Sequence, residues 1–244
     1  MSKLRISGDS SGYVDLEAPA TAGTTTIALE QIPLKNAVNT FTSGQNITVP
    51  GNGGLTVQAG TNGSASLRLK NDATDWDINC QTTDNFAIYN HTTGGNRLGI
   101  TPAGIVTTPA QPSFHAYPSA GFTGYGAGTY IVFPCNNASH NIGNHYDAST
   151  YTFTAPVAGT YQFNASPRFD GVVGGYHVAR FYKNGGTLSG SYWIDQASGD
   201  YNTISVGLCI LLAANDTIKL MLLASSDGSW NVSSQGHFSG YLLG

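Results

Sequence analysis

Apolar and polar residues alternate in short runs along much of the chain, and glycine, proline, asparagine and threonine separate the runs. The stretch YDASTYTFTAPVAGTYQF, residues 146–163, shows the pattern well. Tyr151, Phe153 and Ala155 fall on one side of an extended chain, as do Tyr161, Phe163 and Ala165 after a break at Pro156 and Gly159. A period of two, with Thr, Gln and Asn at the intervening positions, predicts two half-buried strands. Periodicity alone predicts a tight link between them. No helical period, heptad or Gly-X-Y run occurs. The pattern predicts an all-β protein.

The runs group into zones. Residues 1–33 hold short alternating segments, Leu4–Ile6 with Tyr13–Leu16, and Thr26–Leu29, around the breaker Ala-Pro-Ala-Thr-Ala-Gly. This is too little apolar area to fold alone. It predicts an extended arm that is ordered by adding strands to a neighbour. Residues 34–108 carry strand candidates at 46–49, 55–58, 66–70, 76–80, 86–89, 98–100 and 105–107, punctuated by Gly-Asn-Gly-Gly, Thr-Asn-Gly-Ser and Thr-Gly-Gly-Asn. Such punctuation predicts hairpins and a small β-rich neck. Residues 109–112, within TTPAQP, read as a linker. Residues 113–244 form the head, which ends on the apolar run HFSGYLLG.

Composition narrows the function classes. Charged residues make up 10% of the chain, against about 25% in an average soluble domain. Ten Lys and Arg in 244 residues, at a net charge of −4, leave no basic stripe for nucleic acid. No apolar run reaches the roughly 20 residues of a membrane span. The start, MSKLRISGDSSG, has no apolar signal-peptide core. Few charges also leave strand edges unguarded, so edges and flat faces are expected to be buried in an oligomer. Cys80, Cys135 and Cys209 are far apart and form no metal spacing; they read as small buried hydrophobes. The Asn-x-Ser/Thr triplets at Asn46, Asn62 and Asn231 reflect a composition rich in those residues.

The order of elements in the head says more. FHAY at Phe114, the run from Tyr130 through YDASTYTFTAPVAGTYQF, FYKNG at Phe181, ISVGLCILLAANDTIKLML at Ile204 and FSGYLLG at Phe238 follow one another. This series resembles the C1q-like domain of the C1q and tumour-necrosis-factor superfamily. The resemblance implies a ten-stranded jelly-roll sandwich that assembles as a homotrimer. It implies that Phe114, Tyr146, Phe153, Pro156, Gly159, Tyr161, Phe163, Phe238 and Gly240 form the head's core and trimer framework. It also implies that the strand at Phe114–Tyr117 pairs with that at Phe238–Leu243 near the trimer centre. The runs on either side of Pro156–Gly159 would then enter different sheets. Asn215-Asp216 stands where the family has Gly-Asp, and either makes the turn. Two departures are plain. The collagen stalk is absent, and no acidic cluster matches the family's calcium sites, although Asp195, Asp200 and Asp227 fall in loops.

Two other segments resemble phage proteins. ATDWDINCQTTDNFAIYNHTTGGNRLGITPAGIVTTP is similar to a segment common in phage tail fibres. SGYVDLEAPATAGTTTIAL is similar to segments of phage virion proteins in which such arms dock onto the particle.

Catalytic patterns are incomplete. Gly-Asp-Ser at residues 8–10 marks one esterase class, but no His has an Asp three residues before it. A nucleophile without a base is weak, and Ser7–Gly12 reads as a turn. His91, His115, His140, His145, His177 and His237 make no metal pattern. Three-fold symmetry would bring His115 or His237 together near an axis; a hydrogen-bonded or exposed histidine is the plainer reading. Paired carboxylates of a glycosidase and a phosphate-cradling loop are absent. Tyr125, Tyr192, Trp193 and Trp230, beside Gly, Ser and Asp, are either a sugar- or protein-contact surface or packing between protomers.

The expectation is a non-enzymatic, homotrimeric virion protein without cofactor or metal, placed on the virion surface. Its arm would grip another virion protein, a major capsid or tail protein. The head would face outward as a capsid decoration, cement protein or head fibre, and could contact a host surface glycan or protein. A short tail fibre, and a secreted bacterial C1q-like lectin, are the alternatives. Neither nucleic-acid binding nor membrane insertion is expected.

Overall fold

The computed structural model describes residues 3–7, 13–17, 57–171, 174–196, 199–225 and 228–244. The chain divides into two compact units, residues 1–56 and 57–244. In the first, β1 (Lys3–Ser7) and β2 (Tyr13–Glu17) form an antiparallel hairpin in which Leu4 opposes Leu16 and Ile6 opposes Val14. The strand candidates at Thr26–Leu29 and 46–49, residues 55 and 56 of the candidate at 55–58, Asn46 and the expected arm–neck boundary at 33 and 34 lie outside the described residues, and residues 57 and 58 form no strand. No helix occurs among the described residues.

The second unit begins with a five-stranded antiparallel meander. β3 (Ala65–Lys70), β4 (Asp75–Cys80), β5 (Phe86–Asn90), β6 (Asn96–Ile100) and β7 (Val106–Thr107) pair in chain order. Its register sorts the side chains by face. Leu67 opposes Ile78, which opposes Ile88, which opposes Leu98. One residue along, Arg68 opposes Asp77, which opposes Tyr89. A period of two therefore makes one face apolar and the other polar. The polar face is tied by Arg68 and Asp75, whose atoms approach to 2.5 Å.

Residues 109–112 do not run free. The Gln111 side-chain amide donates to the Leu242 carbonyl, and the Leu242 N–H donates to the Pro112 carbonyl at 3.0 Å. Pro112 is buried.

The remaining strands build a sandwich. In chain order they are β8 (Ser113–Tyr117), β9 (Phe122–Gly126), β10 (Ile131–Val132), β11 (Asn137–Ile142), β12 (Tyr146–Asp147), β13 (Thr152–Thr154), β14 (Gly159–Ala165) and β15 (Arg168–Asp170). Then come β16 (Tyr176–Lys183), β17 (Gly186–Gln196), β18 (Tyr201–Thr203), β19 (Val206–Leu212), β20 (Thr217–Ala224), β21 (Ser229–Val232) and β22 (Phe238–Leu242). One sheet has the order β11-β8-β22-β14-β19. The opposite sheet has the order β12-β13-β20-β16-β17, with β10 also on β20. β8 pairs with β22, joining the beginning of the head to its end.

A four-stranded sheet, β18-β15-β21-β9, repeats the strand order of the five-stranded one: β9 follows β8, β15 follows β14, β18 precedes β19 and β21 precedes β22. It continues that sheet beyond an interruption at Ser166-Pro167. Pro167 has no N–H for the ladder. There Ser166 donates its N–H to the His237 carbonyl, and the Pro167 carbonyl accepts from Ile204 N–H.

The tight hairpin that periodicity predicts across Pro156–Gly159 does not form. β13 pairs with β20 in one sheet, while β14 pairs with β19 and β22 in the other. The link crosses the sandwich, which lets both strands bury their aromatic faces. Tyr151 is not on the core face of β13 either: it sits in a turn with a φ of 57°.

The core fills the space between the sheets. Phe114, Phe163 and Phe238 come from one sheet, and Phe153, Phe181, Ile218, Leu220 and Leu222 from the other; all are essentially inaccessible. Phe114 stacks on Tyr146 and Phe153 with centroids 4.7 and 5.3 Å apart. It meets Phe238 edge-on at 4.9 Å. Tyr146 satisfies its buried hydroxyl on the Cys135 carbonyl at 2.8 Å. Tyr161 does so on the Val157 carbonyl at 2.9 Å, across the crossover. Gly159 and Gly240 stand where side chains would collide: a methyl on Gly159 would meet Leu242 Cδ1 at 2.8 Å. Asn184-Gly185 forms the two-residue turn between β16 and β17, both with positive φ, as an Asn-Gly hairpin requires.

Candidate functional site

Alternation leaves the five-stranded sheet with a second face, turned away from the core. Because Phe114 and Ala116 point inward, Ser113, His115 and Tyr117 point outward. In the same way Ser239 and Tyr241 on β22, Gln162 and Asn164 on β14, and Cys209 and Leu211 on β19 point outward. None of the five strands contains Asp, Glu, Lys or Arg. The opposite sheet carries Asp147, Arg180, Lys183, Asp195 and Lys219. The uncharged face nevertheless leaves large apolar groups in solvent: Ile142, Tyr241, Leu243 beyond β22, and Leu211, which is 72% exposed. A sheet face that lacks charge and exposes aliphatic groups is a surface that gains free energy when covered.

Three histidines line up on this face. The His115 ring stacks on His237 at 5.4 Å and on His140 at 6.3 Å, with interplanar angles of 18° and 19°. His115 Nδ1 lies 3.0 Å from the Ser139 hydroxyl. Burial, and the His115 ring beside it, push His237 below the usual histidine range. Sequence reading placed His115 and His237 on strands near a common axis. It missed His140, because only the β8–β11 pairing sets His140 opposite His115.

The four aromatic contact candidates separate. Trp230 is fully buried, and its indole N–H donates to the Gly126 carbonyl at 3.1 Å. It belongs to the core rather than to a contact surface. Tyr125 packs on Trp230 at 5.2 Å. Trp193 meets Phe181 edge-on at 5.7 Å. Tyr192 alone of the four is exposed; it lies on the outer face of β17 with the Arg180 guanidinium 5.6 Å from its ring centre.

Of the acidic residues expected in loops, Asp195 lies on β17 instead. Asp195 accepts from Asn202 at 3.1 Å, and Asp200 uses its backbone carbonyl to accept from Gly171 N–H. Asp227 lies outside the described residues. Among the described residues, no three His, Cys, Asp or Glu side chains gather as a metal site.

On the polar face of the neck sheet, Ser64, Asp77, Asn79, Gln81, Tyr89 and His91 line an open groove of about 410 Å³. His91 Nε2 lies 2.8 Å from Asp77 Oδ2.

An antiparallel two-sheet jelly roll, with its first and last strands paired beside an uncharged outer face, defines the class of the head. The family model of the C1q domain matches residues 113–243, more than half of the chain. The protein belongs to the C1q domain family. Among solved structures, the globular domain of zebrafish complement 1qA is 18% identical, with 55% of this chain and 98% of that one covered and a TM-score of 0.42. Murine APRIL, crystallised at pH 5.0, is 13% identical, with coverages of 55% and 99% and a TM-score of 0.43. No curated protein sequence matches the chain.

Proposed function

We propose that the protein is a homotrimeric, non-enzymatic structural component of a bacteriophage virion, exposed on the particle surface, with the C1q head as its outward-facing module. The uncharged outer face of the five-stranded sheet supports the trimer in this reading. A monomer would leave Ile142, Leu211, Tyr241 and Leu243 in water, whereas a symmetric assembly of identical faces covers them without stranding a charge. The family's trimeric assembly fits this face, which holds the paired first and last strands of the head.

The virion assignment rests on the resemblance of residues 11–29 and 73–109 to phage proteins. In this reading the arm, residues 1–33, docks on a major capsid or tail protein, and the head stands as a capsid decoration, cement protein or head fibre. Three copies side by side would turn weak head contacts with a host glycan or protein into avidity. A short tail fibre is the second reading. It is favoured by the neck meander, which coincides with the tail-fibre-like segment, and by Tyr192, an exposed aromatic beside an arginine of the kind that contacts sugars and proteins.

Light scattering on the purified full chain tests the assembly: three times the chain mass of 25.5 kDa is expected, and a stable monomer would remove it. Antibody labelling of intact particles tests the placement. Signal over the capsid is expected, and signal confined to the tail tip moves the assignment to the tail fibre.

A further inference from the structure

We propose that the histidine ladder His237–His115–His140 makes self-assembly through the five-stranded sheet face sensitive to acid, so that the trimer holds near neutral pH and dissociates when the ladder protonates. This inference rests on the trimer reading above and adds its regulation.

Three imidazoles stand nearly parallel in a row, with neighbouring centres 5.4 and 6.3 Å apart. They lie on a sheet face whose five strands carry no Asp, Glu, Lys or Arg. β8 contributes Tyr117, and β11 contributes Asn137 and Ser139. β14 contributes Gln162 and Asn164, β22 contributes Ser239 and Tyr241, and β19 contributes Cys209. None of these is Asp, Glu, Lys or Arg. The charged residue that approaches from beyond the sheet is Arg168, whose guanidinium binds Gln235, two residues before His237, and Asp170. Asp170 is engaged by that arginine and does not serve the ladder.

Neutral imidazoles stack and share hydrogen bonds, as His115 does with Ser139. Protonated ones at these separations repel one another. Covering the face with copies of itself worsens this, because it removes water and multiplies the histidines by the number of chains. The assembled state therefore favours the neutral form, the direction in which burial and the His115 ring already push His237 within one chain. The sign follows. Assembly is at full strength above the free histidine pKa and is lost as pH falls from there through the depressed value. Histidine is the side chain whose ordinary titration lies in this range.

The full chain is sized by light scattering at about pH 8 and about pH 5, as wild type, as the double variant His115→Gln/His237→Gln, and as His140→Gln. Glutamine keeps a polar, hydrogen-bonding group and cannot charge. Wild type is expected to be trimeric at the higher pH and dissociated at the lower. Its dissociation constant should rise by about tenfold per pH unit for each proton taken up. The double variant should remain trimeric at both. Should the double variant fail to assemble at the higher pH, His140→Gln carries the test: its dissociation midpoint must move to lower pH. A wild type that stays trimeric at about pH 5 overturns the switch and leaves the trimer standing. A wild type that is monomeric at about pH 8 overturns the trimer reading itself. Equal acid dissociation of wild type and all assembled variants removes the ladder as its cause.

Discussion

Replacing Gly240 with alanine tests how tightly the aromatic core is closed. Gly240 lies between two phenylalanines in register, opposite Phe163 on β14 and Phe114 on β8. A methyl group there would meet Phe163 Cδ1 and Cε1 at 2.5 and 2.7 Å and Phe114 Cε1 at 2.9 Å. Carbon atoms pack best at about 3.5–4.0 Å, so the rings would have to withdraw by about 1 Å. They have nowhere to go. Phe163 already meets Phe153 edge-on at 5.3 Å, and Phe114 is stacked against Tyr146 and Phe153. Overpacking of this kind costs about 1–3 kcal/mol. The lower entropy of the unfolded alanine chain returns about 0.4–1 kcal/mol. The net loss should be about 1–2 kcal/mol, which corresponds to about 2–8 °C in a domain of this size. The control is Gly126→Ala on β9, where nothing lies within 4 Å of the added methyl and only the unfolded-chain gain applies. Urea unfolding at one fixed protein concentration, followed by tryptophan fluorescence, gives both numbers. A Gly240→Ala midpoint at or above that of wild type would mean that the rings yield freely, and would refute the packing argument.

Trp230→Ala should cost about 3–5 kcal/mol, as for a fully buried aromatic; an unchanged urea midpoint would return Trp230 to the surface candidates. Lys183 at 2.7 Å, then Asn184 and the Ala213 N–H, hold the Asp216 carboxyl below its ordinary 3.8, at about 2. A depressed carboxyl stabilises above its unfolded pKa and loses that contribution as pH falls through the folded one. Asp216→Asn should therefore be the less stable protein at neutral pH, with the gap closing between about pH 4 and 2; a gap independent of pH would contradict the assignment. Of the three cysteines expected to be buried only Cys135 is; Cys80 and Cys209 are exposed. Burial pushes the Cys135 thiol far above its usual value, so a thiol reagent should modify Cys80 in the native protein and Cys135 only after unfolding; fast native modification of Cys135, read by mass spectrometry, would refute its burial.

The alternation of Phe153 and Ala155, and of Tyr161, Phe163 and Ala165, was enough to assign strands and their buried faces, because side-chain period and burial are both local consequences of an extended backbone. The all-β class was legible for the same reason, whereas the Asn215-Asp216 turn was read from the C1q pattern and the Asn184-Gly185 hairpin emerged only with the structure. Where two neighbouring strands go was not legible. Nothing within residues 146–163 states that the chain crosses the sandwich at Pro156–Gly159, since that is decided by β20, β19 and β22, which lie about 50–80 residues further on and compete for the edges. The order of elements, compared with the C1q pattern, carried that information; periodicity could not.

The surface divided the same way. Low charge announced that some face would be covered, but only strand pairing gathered the uncharged residues of β8, β11, β14, β19 and β22 into one sheet. The register then set His140 beside His115 across 25 residues of sequence and buried Trp230 while leaving Tyr192 in solvent. Composition fixes how much charge a chain has to distribute. Tertiary structure decides which face goes without it, because pairing between distant strands determines which side chains become neighbours.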